Sequence, residues 1–101
     1  MNITISELDG KLVAALEGDL NNAASTQAER GLAPVFEHTD CDVVLDCTQL
    51  NYISSSGLRI FLNIYKHFHG HGHWVILKGM SDDIRVVLSL GGFLQLFHTE
   101  D

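Results

Sequence analysis

Apolar and polar positions alternate at the start of the chain, which is the two-residue period of a half-exposed β-strand. Ile3 and Ile5 are the first apolar positions, and an apolar run resumes over residues 12–16. Between them lies Asp9-Gly10, a pair that is preferred in tight turns between antiparallel strands. The pattern therefore predicts an N-terminal β-hairpin.

A helical pattern with an interruption follows. Asn21 and Asn22 are residue types that cap helix N-termini, and either one is a candidate cap. One side of the predicted helix carries Ala24, Ala28, Leu32, Val35 and Phe36. In a helix interior Gly31 costs about 1 kcal/mol relative to Ala, and Pro34 costs about 3 kcal/mol. We therefore expect a kink or a break near residues 30–34.

A compact apolar run and a second helical pattern form the middle of the chain. Residues 42–46, Asp-Val-Val-Leu-Asp, predict a strand that is buried on both faces. Residues 51–58, Asn-Tyr-Ile-Ser-Ser-Ser-Gly-Leu, then lead into a helix that we expect from about residue 56 to residue 68, ending at Gly70 or Gly72. Its wide apolar face carries Leu58, Ile60, Phe61, Leu62, Ile64, Tyr65 and Phe68. The positions left for solvent or a partner are Arg59, Asn63, Lys66 and His67.

The C-terminal third repeats the succession of strand and helix. Residues 74–77, Trp-Val-Ile-Leu, predict a second buried strand. Ser81 is a good helix cap, two aspartates follow it in the first turn, and Gly91-Gly92 ends the helix. The apolar side of this helix carries Ile84, Val87 and Leu88. We expect residues 93–97 to form a final short strand.

The predicted order is therefore ββαβαβαβ, an α/β fold. Strands that are linked through helices imply mainly parallel pairing with right-handed crossovers, and the helices supply apolar cover for the sheet. The length of 101 residues suits one domain spanning residues 1–101, with no linker or second domain.

Charge and hydropathy narrow the class of protein. Six Lys and Arg against 13 Asp and Glu give a net charge of −7, which opposes nonspecific binding to nucleic acid or anionic lipid. No apolar run approaches the roughly 20 residues that a membrane span requires, and no signal sequence is evident. We therefore expect a cytoplasmic protein that neither binds nucleic acid nor inserts into a membrane.

The two cysteines agree with a reducing compartment. Cys41 and Cys47 flank the predicted strand, so about 3.3 Å per residue would separate them by roughly 20 Å, far beyond the 7 Å limit between disulfide-bonded Cα atoms. We expect both to be free and buried in structural roles.

Ser54, Ser55 and Ser56 stand at the predicted start of the central helix. Helix N-termini expose backbone N–H groups without partners and carry partial positive charge, so an anion is held favourably there. The three serines are therefore plausible phosphate carriers. The simpler interpretation is that they only cap the helix and shape the loop.

A wider context distinguishes these interpretations. Residues 43–46, followed by Leu50-Asn51-Tyr52-Ile53-Ser54-Ser55-Ser56-Gly57-Leu58, resemble the signature segment of STAS domains, specifically bacterial anti-sigma factor antagonists. That segment has an apolar strand, then Leu-x-Tyr/Phe followed by a hydrophobic residue, and then Asp-Ser-Ser/Thr-Gly-Leu at the start of a helix. The resemblance continues through Gly18-Asp19-Leu20-Asn21, residues 70–77, and Ser89-Leu90-Gly91-Gly92 with Phe97. It implies a STAS-like mixed β-sheet covered by helices.

The resemblance also implies a function. In such antagonists a partner anti-sigma factor that is also a serine kinase phosphorylates the serine aligned with Ser55, and a serine phosphatase reverses this. The unphosphorylated form binds the anti-sigma factor and frees a sigma factor, without catalysis or a cofactor. We expect the partner to bind the serine turn, the residues beside it and the exposed face of the second helix: Asp19, Asn21, Asn22, Ser54, Ser55, Ser56, Gly57, Arg59, Asn63 and Lys66.

Two departures from the family pattern favour an alternative. Ser54 and Asn21 stand where the family has acidic residues, so both acids near the switch are replaced by neutral side chains. The alternative is a STAS module that is not phosphorylated and holds together a transporter or a stress-signalling complex.

The histidines and serines suggest two further chemistries that we favour less. His67, His69, His71 and His73 alternate, and alternating imidazoles gather a zinc or copper ion if the backbone is extended. The first pair falls at a helix end, and no Cys or carboxylate is spaced to complete a familiar site, so no metal site is predicted. Ser55 lacks the Gly-x-Ser-x-Gly context of a hydrolase nucleophile, so an enzyme is not predicted either.

Overall fold

The predicted order of elements is confirmed. The computed structural model describes residues 1–101. In chain order the elements are β1 (Asn2–Leu8), β2 (Lys11–Leu20), α1 (Ser25–Leu32), a first 3₁₀ turn (Ala33–Glu37), β3 (Val43–Ile53), α2 (Ser55–Gly70), β4 (Val75–Lys78), α3 (Asp82–Leu90), a second 3₁₀ turn (Leu94–Leu96) and β5 (His98–Glu100).

The N-terminal hairpin forms as predicted. β1 and β2 pair antiparallel, with Leu8 opposite Lys11. The two turn residues between them, Asp9 and Gly10, have φ angles of 54° and 78°. Positive φ at both central positions is the geometry whose twist matches that of the flanking strands, which is why Asp-Gly is favoured here.

The five strands lie in the order β1-β2-β3-β4-β5, and every pair after the hairpin is parallel. Each helix joins two neighbouring strands, and the order advances in one direction. Crossovers of a single hand then place every helix on the same face of the sheet. One hydrophobic core lies between that face and the helices, and it includes Leu45 and Leu77 from the central strands.

The start of β3 is buried on both faces, as predicted for residues 42–46. Helices cover only one of these two faces. Val44 and Ile76 point away from the core cluster, yet their exposed fractions are only 8% and 5%. They lie side by side in the parallel register, next to Val13. Neighbouring side chains on the open face of the sheet therefore cover them.

β3 is much longer than the predicted strand at residues 42–46, because it runs on to Ile53. Its inward residues beyond Cys47 are Leu50 and Ile53, spaced three apart instead of two. The pairing with β2 has two register shifts, and such bulges break the alternation that marks a strand in sequence. A polar-rich, bulged strand end therefore gave no strand signal.

The first helix breaks where Gly31 and Pro34 predict, since α1 ends at Leu32 and the 3₁₀ turn follows. The predicted cap is wrong. α1 is preceded by Ala24 without a side-chain cap, and Asn21 instead accepts a hydrogen bond from the Ala24 N–H at 2.9 Å, one turn before the helix. Asn21 therefore stabilises the turn that leads into the helix.

The other two helices agree closely with prediction. α2 starts at Ser55 and ends at Gly70, and Gly72 follows with a φ of 78°. α3 is capped by Ser81, whose Oγ accepts a hydrogen bond from the Ile84 N–H at 3.2 Å.

The last strand is not where the apolar pattern placed it. Residues 94–96 form the second 3₁₀ turn, and β5 follows at residues 98–100. Phe97 is buried in the core, whereas all three residues of β5 are exposed. Because β5 is a short edge strand that buries nothing, it has no apolar signature. Trp74 is likewise outside β4 and half exposed, against the prediction that it lies in a buried strand.

Candidate functional site

The ends of β2 and β3 bring two loops together. Leu20 and Ile53 are the last paired residues of these strands, and the Ser54 N–H donates to the Leu20 carbonyl at 2.8 Å. The serine turn, residues 54–57, therefore begins beside residues 19–22, the last two residues of β2 and the two that follow, which together we call the exit loop. The sequence places these segments more than 30 residues apart, and the bulged extension of β3 joins them.

Ser54 is the structural member of the serine turn. It is buried, its backbone is extended, and its Oγ accepts a hydrogen bond from the Gly57 N–H at 3.2 Å. Its carbonyl accepts the first helical bond, from Leu58, at 2.9 Å. Ser54 is therefore the N-cap of α2, a role that an aspartate performs equally well.

Ser56 and Ser55 differ in what their hydroxyls contact. The Ser56 Oγ donates to Asn22 Oδ1 in the exit loop and lies 3.3 Å from the Ser54 Oγ. Ser55 is exposed, and its hydroxyl has no partner within the protein. Of the three serines, only Ser55 presents a free hydroxyl to solvent.

Gly57 allows the close approach of α2 to the sheet. A Cβ atom at this position would lie 2.7 Å from Leu20 Cγ and 2.9 Å from Ile53 Cγ1, closer than real Cβ contacts. The start of α2 therefore rests directly on the ends of β2 and β3. This contact sets the position of the neighbouring serines.

The exit loop contributes exposed polar groups beside the serine turn. Asn22 is tied to Ser56 through its side chain, and its carbonyl accepts a hydrogen bond from the Ser25 Oγ at 2.8 Å. Asp19 is exposed and pairs with Tyr52 across β2 and β3. Tyr52 is 52% exposed, and sequence reasoning did not place it at the site. The signal that could have found it is the buried Ile53, whose neighbour in a strand points outward.

An exposed stripe runs along α2 from the serine turn. Arg59, Asn63 and Lys66 are all exposed, as predicted for this side of the helix. They follow Ser55 at steps of four, four and three residues, so the four side chains lie on one face of the helix. We call Ser55, Arg59, Asn63 and Lys66 the α2 stripe.

A groove beside the stripe was not expected from the sequence. It lies between α2 and the segment formed by α1 and the first 3₁₀ turn, and it has a cavity volume of about 350 Å³. Its lining residues are Glu29, Leu32, Ala33, Phe36, Ile60 and Asn63. Asn63 belongs to both features, so the groove and the α2 stripe form one continuous surface.

Neither cysteine belongs to this surface. Both cysteines are free. Burial raises the pKa of the Cys47 thiol to about 12, with a smaller contribution from Asp46, and burial also raises the pKa of Cys41. Cys41 is only half-buried, against the expectation that both are buried. No group of three or more His, Cys, Asp or Glu side chains is placed to hold a metal ion.

The structure thus combines a sheet covered by helices on one face, a capped serine turn and an exposed polar stripe along α2. No helix is both long and apolar enough to span a membrane. The chain belongs to the STAS domain family, whose model matches residues 2–101. This confirms the resemblance found in the sequence.

Known proteins agree with that membership. The chain is 36% identical over 97 residues to BtrV of Bordetella bronchiseptica, a protein named as an anti-sigma factor antagonist, with 96% of this chain and 84% of the relative covered. The Bacillus cell fate determinant SpoIIAA in its phosphorylated form has the same fold, with a TM-score of 0.72 and 17% identity, and the match covers 97% and 90% of the two chains.

The same fold also occurs within a larger protein. The murine anion transporter Slc26a9 matches with a TM-score of 0.76 and 16% identity over 93% of this chain and 16% of that chain. STAS anti-sigma factor antagonists are regulatory binding proteins and not enzymes.

Proposed function

We propose that this protein is an anti-sigma factor antagonist of the cytoplasm whose Ser55 is reversibly phosphorylated. Unphosphorylated, it binds an anti-sigma factor with serine kinase activity and so releases a sigma factor. A serine phosphatase restores that form. The observation that carries the proposal is the free, exposed hydroxyl of Ser55 at the head of the α2 stripe, beside two serines with structural contacts.

Access and geometry favour Ser55 as the acceptor. A kinase must bring the attacking hydroxyl in line with the phosphate, so a hydroxyl without competing contacts is the easiest to position. Ser54 is buried and its hydroxyl caps α2, and the Ser56 hydroxyl donates to Asn22. Phosphorylation of either would require these contacts to break.

The position also explains how a phosphate would act as a switch. A phosphate adds a charge of about −1.5 to −2 and three strong acceptor oxygens. Ser55 and Ser56 are the first residues of α2, so their backbone N–H groups have no partner in a preceding turn and favour an anion. The modified turn can keep its fold, whereas a partner surface that fits a neutral hydroxyl meets repulsion and desolvation.

A small change in binding energy suffices for the switch. A loss of about 1.4 kcal/mol in the complex weakens binding tenfold. The partner-binding surface that we propose consists of the exit loop residues Asp19, Asn21 and Asn22, the serine turn with Gly57, and the α2 stripe. The groove that shares Asn63 with the stripe extends it.

Ser54 and Asn21 are neutral where the family pattern has acidic residues, so this surface carries less negative charge than that pattern would give it. Both side chains still have structural roles in the turn. Ser54 caps α2 as an aspartate would, and Asn21 holds the turn before α1 through Ala24. Asp19 remains as an acidic group on the exit loop. We infer that the neutral side chains alter how strongly a kinase recognises Ser55, while the framework of the turn is kept.

The test is phosphorylation by the kinase-type anti-sigma factor of the same genome. Wild type, Ser55→Ala and Ser56→Ala are incubated with this kinase and ATP, and intact masses are measured. We expect one phosphate on wild type and on Ser56→Ala, and none on Ser55→Ala. Phosphate on Ser55→Ala equal to that on wild type would refute the assignment.

The affinity of the anti-sigma factor is the second measurement. We expect Ser55→Glu to bind at least about tenfold more weakly than wild type, because the charge mimics part of the phosphate. Ser54→Asp keeps the cap of α2 and restores a negative charge, so it should fold as stably as wild type while its rate of phosphorylation at Ser55 changes. A wild-type protein that fails to bind the anti-sigma factor contradicts the antagonist function itself.

The second candidate is a STAS module that is not phosphorylated and holds a transporter or stress-signalling complex together. The neutral residues Ser54 and Asn21 favour it, and the same fold occurs within the anion transporter Slc26a9. Failure of phosphorylation with retained partner binding supports this candidate. A gene for a kinase-type anti-sigma factor next to the gene for this protein would instead support the phosphorylated antagonist.

A further inference from the structure

Two histidines meet at the C-terminal end of α2, away from the serine turn. His67 lies in the last turn of the helix, and His71 is its C-cap residue. Their ring centroids are 4.8 Å apart, with an angle of 52° between the planes. Because the helix continues to Gly70, these side chains are neighbours at a spacing of four residues, which an extended backbone would not allow.

Backbone carbonyls engage one nitrogen of each ring. The His67 Nε2 donates to the His38 carbonyl at 2.8 Å, and the His71 Nδ1 donates to the His67 carbonyl at 2.8 Å. A carbonyl only accepts, so in neutral rings the lone pairs are left on His67 Nδ1 and His71 Nε2. Metal-binding histidines typically donate their second nitrogen in this way, because the hydrogen bond sets the tautomer and the ring orientation.

The ring separation fits a shared ion. A metal–nitrogen bond of about 2.0–2.1 Å places the ion about 3.2 Å from each ring centre. Bond angles of about 90–110° at the ion then separate the two centres by about 4.5–5.2 Å. The observed 4.8 Å lies within this interval.

The surroundings hold His67 in place and favour a cation. The rings of Phe36 and Phe68 pack edge-on against His67, with centroids 5.3 and 5.1 Å away. The carboxyl end of a helix carries partial negative charge, which stabilises a cation, and the net charge of −7 acts in the same direction. These contacts restrict the His67 ring, and the local charge favours a cation beside it.

We propose that His67 and His71 chelate one late first-row divalent cation, Cu²⁺, Ni²⁺ or Zn²⁺, with water completing its coordination. Imidazole ligands select these ions over Mg²⁺ and Ca²⁺. Among the three, the affinity of nitrogen ligands is highest for Cu²⁺. The site has two protein ligands, since no larger cluster of His, Cys, Asp or Glu is present. It is thus a readily exchanging surface site.

The test titrates untagged protein with Cu²⁺ and Zn²⁺ salts by calorimetry in a buffer that does not bind metal. We expect one ion per chain, Cu²⁺ tighter than Zn²⁺, and no uptake of Mg²⁺. His71→Ala should weaken binding at least about tenfold, because a single imidazole loses the chelate. His69→Ala is the matched control, since its ring stacks on Tyr65 on the same helix, and it should bind as wild type does.

Nuclear magnetic resonance of the imidazole nitrogens tests the geometry without relying on a variant that fails to fold. In the metal-free protein we expect His67 protonated at Nε2 and His71 at Nδ1. Added Zn²⁺ should shift the resonances of these two rings and leave His69 and His98 unchanged. Unchanged binding in His71→Ala, no Cu²⁺ uptake by wild type, or the opposite tautomers would each overturn the proposal.

Discussion

At the scale of single residues, neighbours of the same type have different environments. Ser54 caps α2, Ser56 is held by Asn22, and Ser55 is free. The two cysteines differ in the same way, because Cys47 is fully buried in β3 and Cys41 is half-buried before it. Chemical role at these positions therefore follows from burial and hydrogen bonding and not from residue type.

The pKa of Cys47 leads to a prediction about stability in alkali. Burial raises this pKa from 9.0 to about 12, so above pH 9 the unfolded chain releases a proton that the folded chain retains. Stability must therefore fall as pH rises from 9 towards 12, by up to about 1.4 kcal/mol per pH unit from this group.

Urea unfolding of wild type and Cys47→Ala at pH 8 to 11 measures this effect. The small side chain lowers stability at every pH, but we expect the wild type to lose stability more steeply above pH 9 because only it carries the buried thiol. The other titrating groups are shared and cancel in the comparison. Parallel curves for the two proteins would contradict the raised pKa.

At the scale of elements, β3 decides where the site lies. Its bulged second half pairs with β2 up to Ile53 and delivers α2 onto the strand ends at Gly57. α2 then joins two features at opposite ends, the serine turn at its start and the histidine pair at its end. The helix therefore separates the proposed switch from the proposed metal site by its full length.

A side chain at Gly57 should disturb this contact. We expect Gly57→Ala to destabilise the protein by about 1–3 kcal/mol, because the added methyl overlaps Leu20 and Ile53 in a close-packed region. Chemical denaturation measures the loss, and anti-sigma factor affinity should fall as well, since the serine turn moves.

Gly70→Ala is the matched control in the same helix. A Cβ atom there meets nothing within 4 Å, so this change should leave stability equal or higher. Equal stability of Gly57→Ala and wild type would show that α2 is free to move away from the strands.

At the scale of the whole molecule, one core stabilises a sheet that is covered by helices on a single face. Leu77 lies in the middle of this core, with none of its surface exposed. Exposed apolar side chains such as Leu8 and Trp74 lie outside this core. Stability should therefore depend far more on the helix-covered face than on the surface.

Truncating core and surface leucines tests that asymmetry. We expect Leu77→Ala to cost about 2–5 kcal/mol, because it leaves a cavity between the sheet and the helices. Leu90→Ala, at a position 84% exposed, should change stability by no more than about 0.5 kcal/mol. Thermal or urea unfolding compares the two, and similar losses would mean that the core is not organised as described.

Local sequence determined the order of the elements and most of the helix ends. The Asp9-Gly10 turn, the break of α1 before Pro34 and the Ser81 cap all formed as predicted. These features depend on φ angles and hydrogen bonds within a few residues, so they can be read without knowledge of distant contacts. The signature segment around Ser55 also identified the STAS family from sequence.

Only the tertiary structure decided what depends on residues far apart in the chain. The second half of β3 is a strand because β2 pairs with it through bulges, and the edge strand β5 forms because β4 lies beside it. Ser55 is the free serine because Asn22 holds Ser56, and His67 has its tautomer from the carbonyl of His38. Such partners lie up to 34 residues away, and no local pattern contains them.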